Sequence, residues 1–85
     1  MEKALDKMRR LCSRREYCVS DIRAKLMKEL DGDVQKVETA INKLKDEKYV
    51  DDQRYATAYA RDKASISGWG ATKIRYMLSA KGVAK

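Results

Sequence analysis

Apolar residues recur at helical spacing in five separate stretches of this 85-residue chain. In the first, Ala4, Leu5, Met8, Leu11 and Cys12 make one stripe of a helix running from about Glu2 to Arg15. Arg9, Arg10, Arg14 and Arg15 lie off that stripe and are expected to face solvent. A second helix is predicted over about Asp21 to Leu30, with Ser20 as N-cap and Asp21 in the first turn. Ile22, Leu26 and Leu30 repeat every four residues, and Met27 widens the face. Asp31-Gly32 ends it, the glycine supplying a positive φ. A third helix, from about Val34 to Lys48 and capped by Asp33, presents Val34, Val37, Ile41 and Leu44 as a seam between other helices. A fourth begins at the N-cap Asp51, where Val50 is placed to touch Tyr55 as a hydrophobic staple. Its shared face is Tyr55, Ala58, Tyr59, Asp62 and Ile66, and it ends near Ser67. A fifth, about Ala71 to Lys81, turns Ala71, Ile74, Met77 and Leu78 inward and stops at Gly82. Lys73, Arg75 and Lys81 are expected to point outward.

The connections are short, as in a compact helical array. They also repeat. SDIRAKLMKELDGD from Ser20 is echoed by TKIRYMLSAKGVAK from Thr72, an offset of 52 residues that pairs Ile22-Arg23 with Ile74-Arg75 and Leu26 with Leu78. A period near 50 residues with three helices per unit predicts an all-α fold of tandem three-helix, helix-turn-helix-like repeats. The first repeat spans 1–50 and is complete. The second, 51–85, holds its first two helices. A repeat without its third helix cannot cover its own apolar face, so the chain is expected to be part of a longer protein.

Charge changes this picture by suggesting partners. The net charge is +7, distributed as +4 over 1–30, −3 over 31–52 and +6 over 53–85. Two basic segments around an acidic middle suit a polyanion or an acidic protein surface. The blander reading is that helices in water are simply charged. No run of about 20 apolar residues exists for a membrane span, and MEKALDKMRRLC lacks the apolar block of a signal peptide. A cytoplasmic protein is expected. Its two cysteines, Cys12 on the apolar stripe and Cys18 before the second helix, should then be thiols.

Bond-making chemistry finds little support. Without histidine there is no Ser-His or Cys-His pairing and no Cys/His zinc site. Asp21, Asp33, Asp51 and Asp52 sit at helix starts, where capping accounts for them. Gly68-Trp69-Gly70 is a lone GxG with no strand before it, so neither a dinucleotide site nor any other cofactor or small-molecule substrate is indicated. Trp69 either folds over the corner between the fourth and fifth helices or stacks on a base or partner residue. Tyr55 and Tyr59 belong to the inner stripe, Tyr17 is a packing anchor, and Tyr76 is the better contact candidate. The outward basic residues are Arg9, Arg10, Arg14 and Arg15 around the first helix, Arg54, Arg61 and Lys63 on the fourth, and Lys73, Arg75 and Lys81 on the fifth. A basic second helix after a short turn is a helix-turn-helix arrangement. Yet SDIRAK and ATKIRY are not openings tuned to read bases, which favours backbone or protein contacts.

Taken together, YVDDQRYATAYARDK and GWGATKIRYMLSAKGV resemble the RecX family of bacterial RecA regulators, and LCSRREYCVSDIRAKL resembles that family's opening three-helix repeat. The match extends over nearly the whole chain. The resemblance implies a non-catalytic protein that binds the groove of RecA filaments and limits recombinase activity, ATP hydrolysis and strand exchange in DNA repair and recombination. It implies that single- or double-stranded DNA is also touched by some members. Family members usually carry about three repeats, more than are present here. The alternative is a small, stand-alone helix-turn-helix-like DNA binder. A third reading is a helical piece that only packs against the rest of its own chain. On the first two readings the contact candidates are the ten basic residues above together with Tyr76.

Overall fold

The structure, a computed structural model, describes residues 1–83. These residues form five helices and no strand: α1 (Glu2–Arg14), α2 (Val19–Glu29), α3 (Val34–Asp46), α4 (Asp52–Ser65) and α5 (Ala71–Ala80). Each lies within a few residues of its predicted span, because the spacing of apolar positions dictates where a helix gains from packing. The ends are fixed by local chemistry. Asp33 and Asp51 accept the backbone N–H three residues on, at 3.1 and 3.0 Å. The end of α5 is a Schellman turn: Val83 N–H bonds to Leu78 C=O and Gly82 N–H to Ser79 C=O, with Gly82 at φ +75. The C-terminal end of α3 closes in the same way through Lys48 at φ +67 and Tyr49, which bonds back to Leu44.

One sequence expectation fails at the start of α2. The N-cap is Cys18, not Ser20, and the helix begins at Val19. Asp21 accepts the Cys18 N–H at 3.4 Å, as the N3 acid of a capping box does. Asp52, at the start of α4, accepts the Val19 N–H at 2.8 Å. Ser20 is thereby released for another bond, and its hydroxyl donates to the Lys81 C=O at the end of α5, 2.8 Å away. Thus α4 caps α2, and α2 caps α5. These bonds satisfy terminal backbone groups that each helix alone leaves open.

The hydrophobic residues form two cores. The first joins Ala4, Leu5 and Met8 of α1, Val19, Ile22 and Leu26 of α2, and Val37, Ala40, Ile41 and Leu44 of α3, with Val50. The second joins Tyr55, Ile74, Leu78 and Val83 to Cys18, a residue contributed by the first unit. The radius of gyration is 13.7 Å with extents of 40 × 21 × 19 Å. A single compact ball of this length would have about 12 Å, so the two cores sit side by side rather than merging. Val50 and Tyr55 consequently fall in different cores, and the expected staple between them is replaced by separate anchors. Two other inward assignments are reversed. Val34 is 59% exposed, its place in the α3 seam taken by Ala40, and Ile66 is 81% exposed because the chain is already leaving α4 there. On α5 only Ile74 and Leu78 are buried. Met77 is half-buried and Ala71 is open.

The 52-residue echo is geometric as well as textual. Cys18 and Gly70, 52 residues apart, are the N-caps of α2 and α5, with φ/ψ of −82/166 and −79/166. Since Cys18 occupies that place with a side chain, and a Cβ on Gly70 would meet nothing within 4 Å, Gly70 is not there for a close approach. Gly68 is different: its φ of +71 lies in the left-handed region that favours glycine.

Candidate partner-binding face

The same offset pairs Tyr17 with Trp69, each the residue before its N-cap. Each ring carries two cations. The Arg15 guanidinium lies 4.9 Å and the Lys25 ammonium 5.4 Å from the Tyr17 centroid. Lys63 lies 4.9 Å and Lys73 4.2 Å from that of Trp69. Trp69 is half-buried and meets Tyr59 edge-on at 6.4 Å, and Tyr59 in turn meets Tyr55 at 5.7 Å. Trp69 is thus the outer end of an aromatic row rooted in the second core, held by packing on one side and by cations on the other. The Trp69 N–H bonds back to Lys63 C=O, which fixes the corner between α4 and α5.

Between the two units lies a cleft of about 590 Å³ with Tyr55 and Tyr59 on its floor and Arg15, Lys63 and Lys81 around it, beside the carboxylates of Glu16 and Asp62. A second cleft of about 420 Å³ follows on, sharing Arg15 and Lys81 and adding Tyr17, Lys25 and Lys28. One basic, aromatic-floored face therefore crosses the junction. Of the residues singled out from sequence, it gathers Arg15, Lys63 and Lys81, with Lys73 beyond Trp69.

Other basic residues are occupied elsewhere. Arg9 is not the solvent-facing residue expected. Its Nε and Nη2 hold Glu47 beyond α3 at 2.9 and 3.1 Å, and Nη1 holds Asp6 at 2.8 Å. Hydrogen bonding from Arg9 keeps the Glu47 carboxyl below its ordinary range, and Glu47 in turn raises the Arg9 pKa further. Arg54 braces the junction, with Nε 2.8 Å from Glu16 and Nη2 3.2 Å from the Tyr49 carbonyl. Arg10, Arg14 and Arg61 are exposed, with no carboxylate within salt-bridge distance among the described residues. Arg75 stands at a different surface, the rim of an apolar groove between α4 and α5. Tyr76, 72% exposed, is on α5 outside the basic clefts.

Lys81 was expected to point outward and does not do so freely. Its Nζ is 3.3 Å from Asp21 and lies over the Tyr55 ring at 5.9 Å. Burial pulls its pKa down, but the Asp21 carboxylate outweighs burial and raises it. For Asp21, burial pushes the pKa up, and the bonds from Cys18 and Lys81 reverse this to a net lowering. Burial also raises the Tyr55 hydroxyl. Tyr17, Lys25 and Lys28 were not singled out as contact candidates. The pairing of Tyr17 with Trp69 at the repeat offset was the available signal for the first of them.

This architecture defines a class: an all-α protein of three-helix repeats, with three helices around the first core, two around the second, and a cationic face across their junction. Residues 51–85 match the family model described as RecX, second three-helix domain. Over this segment the chain is similar to that family. No curated protein and no solved structure matches it. No helix among the described residues is long and apolar enough to cross a membrane.

Proposed function

We propose that this chain is a non-catalytic regulator that binds RecA filaments and lowers recombinase activity in DNA repair and recombination. The observation that carries this reading is the match of residues 51–85 to the second RecX three-helix domain. On this reading residues 1–50 and 51–85 are successive repeats of one cytoplasmic protein, and the junction face is the contact surface. Arg15, Lys63 and Lys73 are its principal cations, while Arg10, Arg14, Arg61 and Tyr76 extend the reach to neighbouring surfaces. Arg9, Arg54 and Lys81 act from behind, by holding helices in place. A face with cations over aromatic rings also favours a second reading, direct binding of single-stranded DNA, in which phosphates meet the lysines and bases approach the rings.

Anisotropy of labelled single-stranded DNA, bare and coated with RecA, separates the two. A RecA regulator binds the coated filament at concentrations that leave bare DNA unchanged. A DNA module binds bare DNA first, with affinity falling steeply as salt rises. Preference for bare DNA refutes the filament reading.

A further inference from the structure

The two clefts of the junction face differ in charge once the ion pairs within the molecule are set aside. In the cleft beside Tyr17, Asp21 is held by Lys81 at 3.3 Å. Arg15, Lys25 and Lys28 line the same cleft and meet no carboxylate within salt-bridge distance among the described residues. In the cleft over Tyr55 and Tyr59, Glu16 is engaged by Arg54, 2.8 Å away. That leaves Lys63 and the exposed carboxylate of Asp62, which meets no cation within salt-bridge distance among the described residues. One cleft thus presents a cluster of uncompensated cations. The next presents an uncompensated carboxylate beside a cation, and Arg15 is common to both.

We propose that the junction face takes a protein segment carrying charges of both signs, with its carboxylates in the cleft beside Tyr17 and a basic residue against Asp62. This rests on the reading of that face as the contact surface, and it makes Asp62 the residue that decides between protein and nucleic acid. A nucleic-acid strand carries a negative charge at every nucleotide. Crossing both clefts brings a phosphate past Asp62, where like charges repel. Such a strand also gains from stacking its bases on open rings. Here Arg15 and Lys25 lie over Tyr17, and Lys63 lies over both Tyr59 and Trp69. An incoming base competes with cations already on those rings. A protein segment needs neither a uniformly basic groove nor open rings. Its charges alternate in sign, and matching the sign at each position is what turns away a wrong partner.

The test uses the whole chain and three labelled probes followed by anisotropy. The first is a peptide of four glutamates, a glycine spacer and two lysines. The second has glutamates in place of the lysines, and the third is oligothymidine. The mixed-charge peptide should bind about two- to fivefold more tightly than the all-acidic one, the scale of an exposed ion pair. A merely cationic surface gives the opposite order, since the all-acidic peptide has the larger negative charge. Asp62→Lys should reverse the order of the peptides, tighten oligothymidine binding and steepen its salt dependence. Lys25→Glu/Lys28→Glu should weaken both peptides with helical circular dichroism unchanged. Preference of the parent chain for the all-acidic peptide overturns the proposal. So does absence of saturable binding to either peptide, or peptide order and oligothymidine binding that ignore Asp62→Lys. The probes contain no recombinase, so these outcomes stand apart from the anisotropy with RecA-coated DNA, which tests the regulator reading itself.

Discussion

Ile22 and Leu26 in α2 and Ile74 and Leu78 in α5 hold equivalent places 52 residues apart, under N-caps of nearly identical backbone geometry. The first pair is fully buried, whereas Ile74 and Leu78 keep 7% and 5% of their surface. More telling is what lies around them. The first pair is enclosed by α1 and α3, while the second borders an open groove. The comparison teaches that local sequence makes a two-helix corner, and that a third helix turns the corner into a closed core. Among the described residues the second unit draws on Cys18, Ser20 and Asp21 of the first unit for part of its packing and capping.

The largest test of this asymmetry is a matched pair of truncations. Leu26→Ala should cost about 4 kcal/mol, because its site is enclosed and cannot collapse. Leu78→Ala should cost about 2 kcal/mol, since its cavity opens toward the groove. Equal losses in urea melts would erase the distinction between the units. Next in size is the link between them. Asp52→Ala removes the charged acceptor of the Val19 N–H and should cost about 1.5 to 2 kcal/mol. It should also raise amide exchange at the start of α2; unchanged exchange there would show that the cap contributes nothing. Smaller still is Arg23→Ala, which breaks a half-exposed pair with Glu38 and should cost less than about 1 kcal/mol.

The response to pH should also be lopsided. Glu38, Glu47, Asp51 and Asp21 all have pKa values below their ordinary ones, so the stability they contribute is present at neutral pH and is lost as pH falls through those lowered values, below about pH 4. Tyr55 and Lys81 are raised, so their contribution holds at neutral pH and fades as pH climbs beyond about 10. Both belong to the second unit. Tryptophan fluorescence at Trp69 should therefore report an alkaline transition that the first core does not share. A single transition, with both units melting together at high pH, would contradict that assignment.

Much of this was legible in the chain. Helix positions follow from apolar spacing, and Asp33 and Asp51 are caps because a carboxylate before a helix has orphan N–H groups within reach. The repeat was visible in Ile22-Arg23 and Ile74-Arg75. Ser20 was misread because the helix starts two residues sooner, its first N–H taken by an acid 33 positions away. No local pattern reports a cap that arrives from another unit. Arg9 was misread for the same reason: Glu47, 38 residues on, approaches it only when α3 packs against α1. Val34 and Ile66 followed a helical period beyond the point where the surrounding helices could cover them. The candidate face was half legible. Arg15, Lys63, Lys73 and Lys81 are legible as outward cations, whereas Lys25 and Lys28 are not, and the clefts that join Arg15 to Lys63, and Tyr17 to Lys25, depend on how the two units meet.

The most direct test of the functional reading is single-stranded-DNA-dependent ATP hydrolysis by RecA with this chain titrated in, beside a Lys63→Glu/Lys73→Glu variant. Inhibition at concentrations too low to coat bare DNA, weakened in the variant while its melting stays close to that of the parent, is the predicted result. Unchanged hydrolysis at saturating chain, with intact helical circular dichroism, would contradict it.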